Sequence, residues 1–212
     1  MIIFKDFKGK SLATISALIA SSTLIVSCSP SAKDFAREGN LLLESNEYSE
    51  AISKFNKAIE INPKYGDAYY NRGVVKGRIG DRLGAIDDYT KAIEINSKDF
   101  DAFYNRGNMH FAFKRFADAI FDYTKAIEIN PRLDNAYYNR ALSKSKLGDL
   151  SGSIFDYTKA IEINPQYRAA FENRGIDNKA IKNMKGACSD WSKAAYLGSE
   201  SAALWFKNNR CR

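Results

Sequence analysis

The sequence predicts an all-α fold: a solenoid of five stacked helix-turn-helix units, closed by a C-terminal capping helix. Three observations point there. The nine residues DYTKAIEIN begin at Asp88, Asp122 and Asp156, at an interval of 34 residues each time. With that period, residues 32–201 divide into five contiguous units: 32–65, 66–99, 100–133, 134–167 and 168–201. Each unit carries two helical patterns, as in DAYYNRGVVKGRIG followed by RLGAIDDYTKAIEIN in the second. A fixed period of this length marks units that cannot bury their apolar faces alone and must stack. The composition is that of a globular chain, 45% hydrophobic and 27% charged with four prolines.

The first element in chain order is not part of the stack. Residues 1–27 place Lys5, Lys8 and Lys10 ahead of an apolar and small-residue run from Leu12 to Val26. This is the layout of a secretory signal, and the run is shorter than a bilayer span needs. Ile25-Val26-Ser27 then precede Cys28. These four residues resemble the lipobox of bacterial lipoproteins. The resemblance implies cleavage before Cys28, acylation of its thiol and a short tether, 28–31, leading to the repeats. Several acyl chains anchor far better than one, at about 0.8 kcal/mol per buried CH₂. An uncleaved signal anchor with an incidental cysteine is the alternative. The expected location is the bacterial cell envelope, with the repeats in the periplasm and the lipid in the outer or inner membrane. Ser29, rather than Asp, follows Cys28.

The five units align position by position. Position 4 is large: Phe35, Tyr69, Phe103, Tyr137 and Phe171. Position 8 is small: Gly39, Gly73, Gly107, Ala141 and Gly175. Small residues recur at position 20 (Ala51, Ala85, Ala119, Ser153, Ala187) and at position 27 (Ala58, Ala92, Ala126, Ala160, Ala194). Position 24 is aromatic: Phe55, Tyr89, Tyr123, Tyr157 and Trp191. Small residues let two helix backbones approach, and large ones fill the space beside them. Pro63, Pro131 and Pro165 at position 32 end second helices, since the residue before proline avoids the helical region. Ser97 and Ser199 replace it in two units, which is expected to weaken those turns. The segment 202–212 begins like a sixth first helix, with Trp205 at position 4, and then turns polar, as a solvent-facing cap must.

This pattern closely resembles the tetratricopeptide repeat. The resemblance implies a right-handed superhelix whose first helices line a concave face, with positions 2, 5, 6, 9 and 13 pointing inward. It implies protein or peptide partners.

Charge recurs with the same period. Arg72, Arg106, Arg140 and Arg174 stand at position 7, and Asp88, Asp122, Asp156 and Asp190 at position 23. In the first unit the signs reverse, with Glu38 and Lys54. Only pairing within units keeps every pair opposite, because Lys54 would otherwise meet Arg72. One bridge per unit is therefore expected, exposed, contributing about 0–1 kcal/mol and serving helix register. Five independent solvated charges are the alternative.

On the inward positions, Asn71, Asn105, Asn139 and Asn173 stand at 6, and Tyr70, Tyr104 and Tyr138 at 5. An asparagine amide can grip a peptide backbone whatever its side chains, and a tyrosine adds a flat face with a polar tip. The two ladders are similar to the asparagine ladder of some peptide-binding members of the family, which implies a groove for an extended segment. Surface residues copied by duplication are the alternative. The family's carboxylate clamp carries over poorly. Asn40 and Asn71 match, but its basic positions hold Ala36, Asp101 and Asn105. No binding of chaperone-type acidic C-termini is expected.

Nothing in the sequence supports catalysis. His110 is the single histidine, at position 11, read as a packed side chain without a motif partner. No phosphate-binding glycine loop and no metal-spaced Cys/His cluster occurs. No cofactor, metal or small-molecule substrate is expected. The net charge of +7 falls to +5 beyond residue 31 and is interleaved with acids, which argues against nucleic acid. Cys188 replaces the isoleucine of the other units at position 21, and Cys211 lies in the cap that should pack on that helix. A disulfide stapling the cap and two buried reduced thiols both fit.

The reading is a non-catalytic, membrane-anchored interaction scaffold. The rival is an assembly factor or structural part of an envelope or membrane complex, such as pilus secretin assembly, outer-membrane protein insertion or photosynthetic complex assembly.

Overall fold

A computed structural model describes residues 29–211. Residues 1–27, expected to be a signal segment, and Cys28 lie outside that range. Eleven α-helices follow one another among the described residues: α1 (Ala32–Glu44), α2 (Tyr48–Ile61), α3 (Gly66–Arg78), α4 (Arg82–Ile95), α5 (Phe100–Ala112), α6 (Phe116–Ile129), α7 (Asp134–Lys146), α8 (Leu150–Ile163), α9 (Arg168–Ala180), α10 (Met184–Tyr196) and α11 (Glu200–Asn208). Ten form five antiparallel pairs, and each pair packs on the next. The cap α11 lies on α10. The solenoid opens at Ser31, whose hydroxyl caps α1 in a reciprocal capping box with Asp34.

The small positions do what their size permits. Alanines at positions 20 and 27 are fully buried, and the aromatic at 24 fills the seam between the paired helices. A Cβ on Gly107 would come within 2.8 Å of the Tyr123 ring, and one on Gly73 within 2.9 Å of Tyr89. Ser97 costs its turn less than expected. In units 1 to 4 the asparagine at position 31 makes the turn, its Oδ1 accepting from the backbone N–H of Lys64, Lys98, Arg132 and Gln166. Proline at 32 adds only stiffness. Ser199 gains a new task, capping α11 by accepting from the Ala202 N–H at 3.0 Å.

The turn inside each unit is uniform in geometry and not in sequence. Position 15 has a left-handed backbone every time: Asn46 (φ 61°), Gly80 (88°), Lys114 (58°), Gly148 (84°) and Lys182 (67°). Glycine and asparagine reach this region cheaply, whereas lysine does not.

The charge pairs span the two helices of each unit. Arg72 meets Asp88 at 2.6 Å, Arg106 meets Asp122 at 2.7 Å, Arg140 meets Asp156 at 2.7 Å, and Arg174 meets Asp190 at 2.6 Å. Lys54 and Glu38 pair in the first unit. The expectation of exposed pairs needs correcting. The four aspartates are 0–4% exposed. Each arginine uses its Nε and one terminal nitrogen on the carboxylate, a two-pronged contact. Its other terminal nitrogen reaches back to the preceding unit, donating to Asn56, Thr90, Thr124 or Thr158. One guanidinium thus joins three helices. Only Glu38–Lys54 stays partly open to solvent.

Position 11 completes each carboxylate rather than serving as plain packing. Lys76 reaches Asp88 at 2.9 Å, Lys144 reaches Asp156 at 2.8 Å, and Asn178 donates to Asp190 at 3.0 Å. His110 is the exception. Its Nε2 stops 3.7 Å from Asp122, too far for a hydrogen bond, and its Nδ1 is buried without a partner. Burial lowers its pKa, Asp122 and Asp118 push the other way, and Arg106 and Arg115 add to the lowering.

Cys188 and Cys211 form a disulfide, with Cα atoms 5.4 Å apart. The bond ties the chain just beyond α11 to α10. Closing a 23-residue separation contributes about 3 kcal/mol in the chain-entropy account.

Two outcomes follow in urea unfolding. Lys114→Gly, with no side chain to strain the turn, raises stability by about 1 kcal/mol, whereas a loss would show that the turn is unstrained. His110→Lys supplies the ammonium that units 2 and 4 possess. The buried neutral imidazole takes up its proton more readily when unfolded, so wild-type stability falls as pH drops below about 6.5. The variant removes that fall and raises the midpoint near pH 7. An unchanged pH profile would contradict the assignment.

Candidate functional site

The first helices α1, α3, α5, α7 and α9 form one face of the solenoid, each touching the next. Position 6 on these helices carries the asparagines and position 5 the tyrosines. The structure brings the two ladders together across unit boundaries. Asn105 Nδ2 donates to the Tyr70 hydroxyl at 3.0 Å, Asn139 to Tyr104 at 3.2 Å, and Asn173 to Tyr138 at 3.0 Å. Every rung therefore links one unit to its neighbour.

This changes what the asparagines offer. Asn139 also donates to Asn108 Oδ1, and Asn173 to the Ala169 carbonyl. Their amide donors are committed and the carbonyl oxygens remain. Asn105 keeps one donor. Asn71 makes no hydrogen bond among the described residues, because the preceding unit has Ala36 where a tyrosine would stand. The four amides therefore differ, and their capacity to donate rises toward the N-terminal end.

The tyrosines compensate. Each phenol oxygen accepts from an asparagine and keeps its own O–H for another partner. Their rings lean on the position-24 aromatics, with centroids 5.9 Å apart for Tyr70–Tyr89 and Tyr104–Tyr123 and 5.8 Å for Tyr138–Tyr157. Burial pushes Tyr70 up to about 12, with the nearby Asp101 adding to it, and burial raises Tyr104 and Tyr138 as well. All three stay protonated donors over the physiological range.

At the N-terminal end the face sinks into a hollow of about 380 Å³, which includes Asn40, Tyr65, Tyr70 and Asn71. Lys33 and Arg37 stand at its wall opposite Asp34 and Asp67, so its charge is balanced. Arg37 already faces Asp34 at 3.4 Å. Two cations are thus present here, at positions 2 and 6 of the first unit, beside an equal number of acids. The Arg–Asp pairs lie between helices and offer nothing to this face. No cluster of three or more His, Cys, Asp or Glu side chains able to hold a metal occurs among the described residues. No described helix is long and apolar enough to cross a membrane.

Comparison with known proteins matches this architecture. Models described as TPR repeat and tetratricopeptide repeat match residues 39–80, 66–99, 100–133 and 135–167, together more than half of the chain. No curated protein matches the chain in sequence. Among solved structures, YrrB, a TPR protein with an unusual peptide-binding site, superposes with a TM-score of 0.76 at 24% identity. The match covers 84% of this chain and 92% of YrrB. MamA superposes at 0.73 with 22% identity, over 78% of this chain and 96% of its own. MamA from Desulfovibrio magneticus gives 0.73 at 20% identity, over 78% and 94%. At such identities the likeness is one of fold. The repeated sequence matches, the paired helices and the shared solenoid lead to one conclusion: the chain belongs to the tetratricopeptide-repeat family.

Proposed function

We propose that this chain is a non-catalytic interaction scaffold. It is held at a bacterial membrane by lipid on Cys28 and captures an extended protein segment on the concave face of its first helices. The observation that carries the reading is the interlocked ladder. Free Tyr70, Tyr104 and Tyr138 hydroxyls alternate with free asparagine carbonyl oxygens, one pair per unit. A peptide backbone presents the complementary series, a C=O and an N–H at every residue. Such a face grips main chain and leaves side-chain choice to the pockets beside it. Asn71 and the hollow around it supply the one rung whose amide is wholly free, so the segment is held most firmly there. YrrB, with its unusual peptide-binding site, gives the reading a structural relative but no residue-level support. A disulfide between Cys188 and Cys211 suits an oxidising envelope compartment.

An assembly factor acting through another surface is the second reading, favoured by a large cavity away from this face. Crosslinking and affinity capture in the native host separates the two. Asn71→Ala combined with Tyr70→Phe, Tyr104→Phe and Tyr138→Phe removes the free hydroxyls and the amide of Asn71 while sparing the aromatic packing. Each tyrosine-to-phenylalanine change removes one inter-unit bond, a cost of about 1 kcal/mol per bond, so folding is checked by circular dichroism. The groove reading predicts that the intact lipoprotein captures a partner and the folded variant loses it. Equal capture by both moves the function elsewhere. Cys28→Ser is expected to abolish metabolic palmitate labelling, and retained labelling would contradict the anchor.

A further inference from the structure

A second cavity lies away from the first-helix face. It holds about 980 Å³ in the seam between α10 and α11, and the Cys188–Cys211 disulfide forms part of its wall. Three cations line it: Lys185, Lys193 and Arg210. Met184, Tyr196 and Phe206 supply its apolar surface, and its remaining lining side chains are uncharged. No carboxylate side chain is among the described residues that line it.

The other repeats serve as controls for this site. In units 2, 3 and 4 the lysine at position 26 closes on the glutamate at 29: Lys91–Glu94, Lys125–Glu128 and Lys159–Glu162, each at 2.7 Å. The fifth unit keeps the lysine, Lys193, and replaces the glutamate with Tyr196. Lys193 then lies over the Tyr196 ring, 5.0 Å from its centre. Tyr196 is 82% exposed, far more than a large aromatic normally shows water. The same replacement removes an acid and adds an aromatic at one place.

Net charge follows the same division. Residues 29–174 hold 22 Lys and Arg against 21 Asp and Glu. Residues 175–212 hold seven against three. Two of those three acids, Asp177 and Asp190, are buried and hydrogen-bonded inward. Most of the positive excess beyond residue 28 thus falls in the stretch that contains this cavity, and three of its seven cations line it.

We propose that the α10–α11 cavity is a second protein-binding site, for an internal segment of a partner that carries several carboxylates around an apolar or aromatic side chain. Lysine and arginine at the rim pair with the carboxylates, and the apolar floor takes the central side chain. The disulfide fixes the far wall, so the oxidised protein binds and the reduced protein binds poorly. This site is independent of the groove on the first helices.

The probe is a fluorescent, N-acetylated and C-amidated peptide of Asp and Glu around a central phenylalanine, titrated by anisotropy against the full chain in detergent. Saturable binding is expected, weakened more than about tenfold by Lys185→Glu, Lys193→Glu and Arg210→Glu together. It should also weaken as salt rises from about 50 to 500 mM, a measurement that needs no variant. Tyr196→Ala, a change at an exposed side chain, should reduce binding severalfold, and so should Cys188→Ser with Cys211→Ser. Lys125→Glu and Asn71→Ala should leave it unchanged, the latter even if the groove proves inactive. Absence of saturation up to about 1 mM peptide overturns the proposal. So does equal binding by the charge-reversed variant. Preferential binding to phosphatidylglycerol vesicles would instead make the seam a membrane contact. Self-association lost in the same variants would make it an interface between copies.

Discussion

A guanidinium held between three helices is the contact on which the stack depends. Arg106 grips Asp122 on its own second helix and Thr90 on the second helix of the unit before. Arg140 and Arg174 repeat the arrangement with Thr124 and Thr158. A buried carboxylate is costly unless paired and fully hydrogen-bonded, so removing any one member leaves the others uncompensated. The cost enforces register. A slip of either helix by one residue would strand the aspartate without its arginine. It also couples each unit to its predecessor, so stability accrues through neighbour contacts as a one-dimensional array requires.

The repeated nonapeptide can now be read residue by residue. In the third unit Asp122 receives the arginine, Tyr123 fills the seam against Gly107, and Thr124 receives the arginine of the next unit. Lys125 closes on Glu128, and Ala126 admits the neighbouring helix. Asn130 makes the turn that starts the next pair. The segment recurs because most of its residues answer to a structural demand that recurs. The ladders of the first-helix face repeat as well, whereas the surroundings of the last two helices depart from the repeat, with Tyr196 in place of the glutamate of the other units.

Much of this was legible in the sequence. The sign reversal at Glu38 and Lys54 allowed only pairing within units, since any other scheme sets like charges together. The depth of those pairs was not legible. Burial follows from how closely the small residue at position 8, glycine or alanine, lets the two helices approach, a distance that no linear pattern states. Threonine at position 25 was visible as a repeat, yet its partner belongs to the following unit and needed the superposed geometry. The asparagines looked free because their tyrosine partners stand 35 residues earlier. Position 15 hid its left-handed turn behind asparagine, glycine and lysine, which share no side-chain property. His110 read as packing because its role shows only beside Lys76 and Lys144 over the same carboxylate. The α10–α11 cavity left one linear trace, the exchange of glutamate for Tyr196, with nothing to mark it as a cavity wall.

The most direct measurement is a double-mutant cycle on the buried pair of the fourth unit. Arg140→Met, Asp156→Leu and their combination are compared by equilibrium unfolding. If the pair sets the register of the stack, each single change costs about 3–5 kcal/mol, because it orphans a buried charge. The double change then costs clearly less than the two together, since no charge is left behind. Single costs of about 0–1 kcal/mol that simply add would mean that the pair acts like a surface bridge, and the account of the stack would fail.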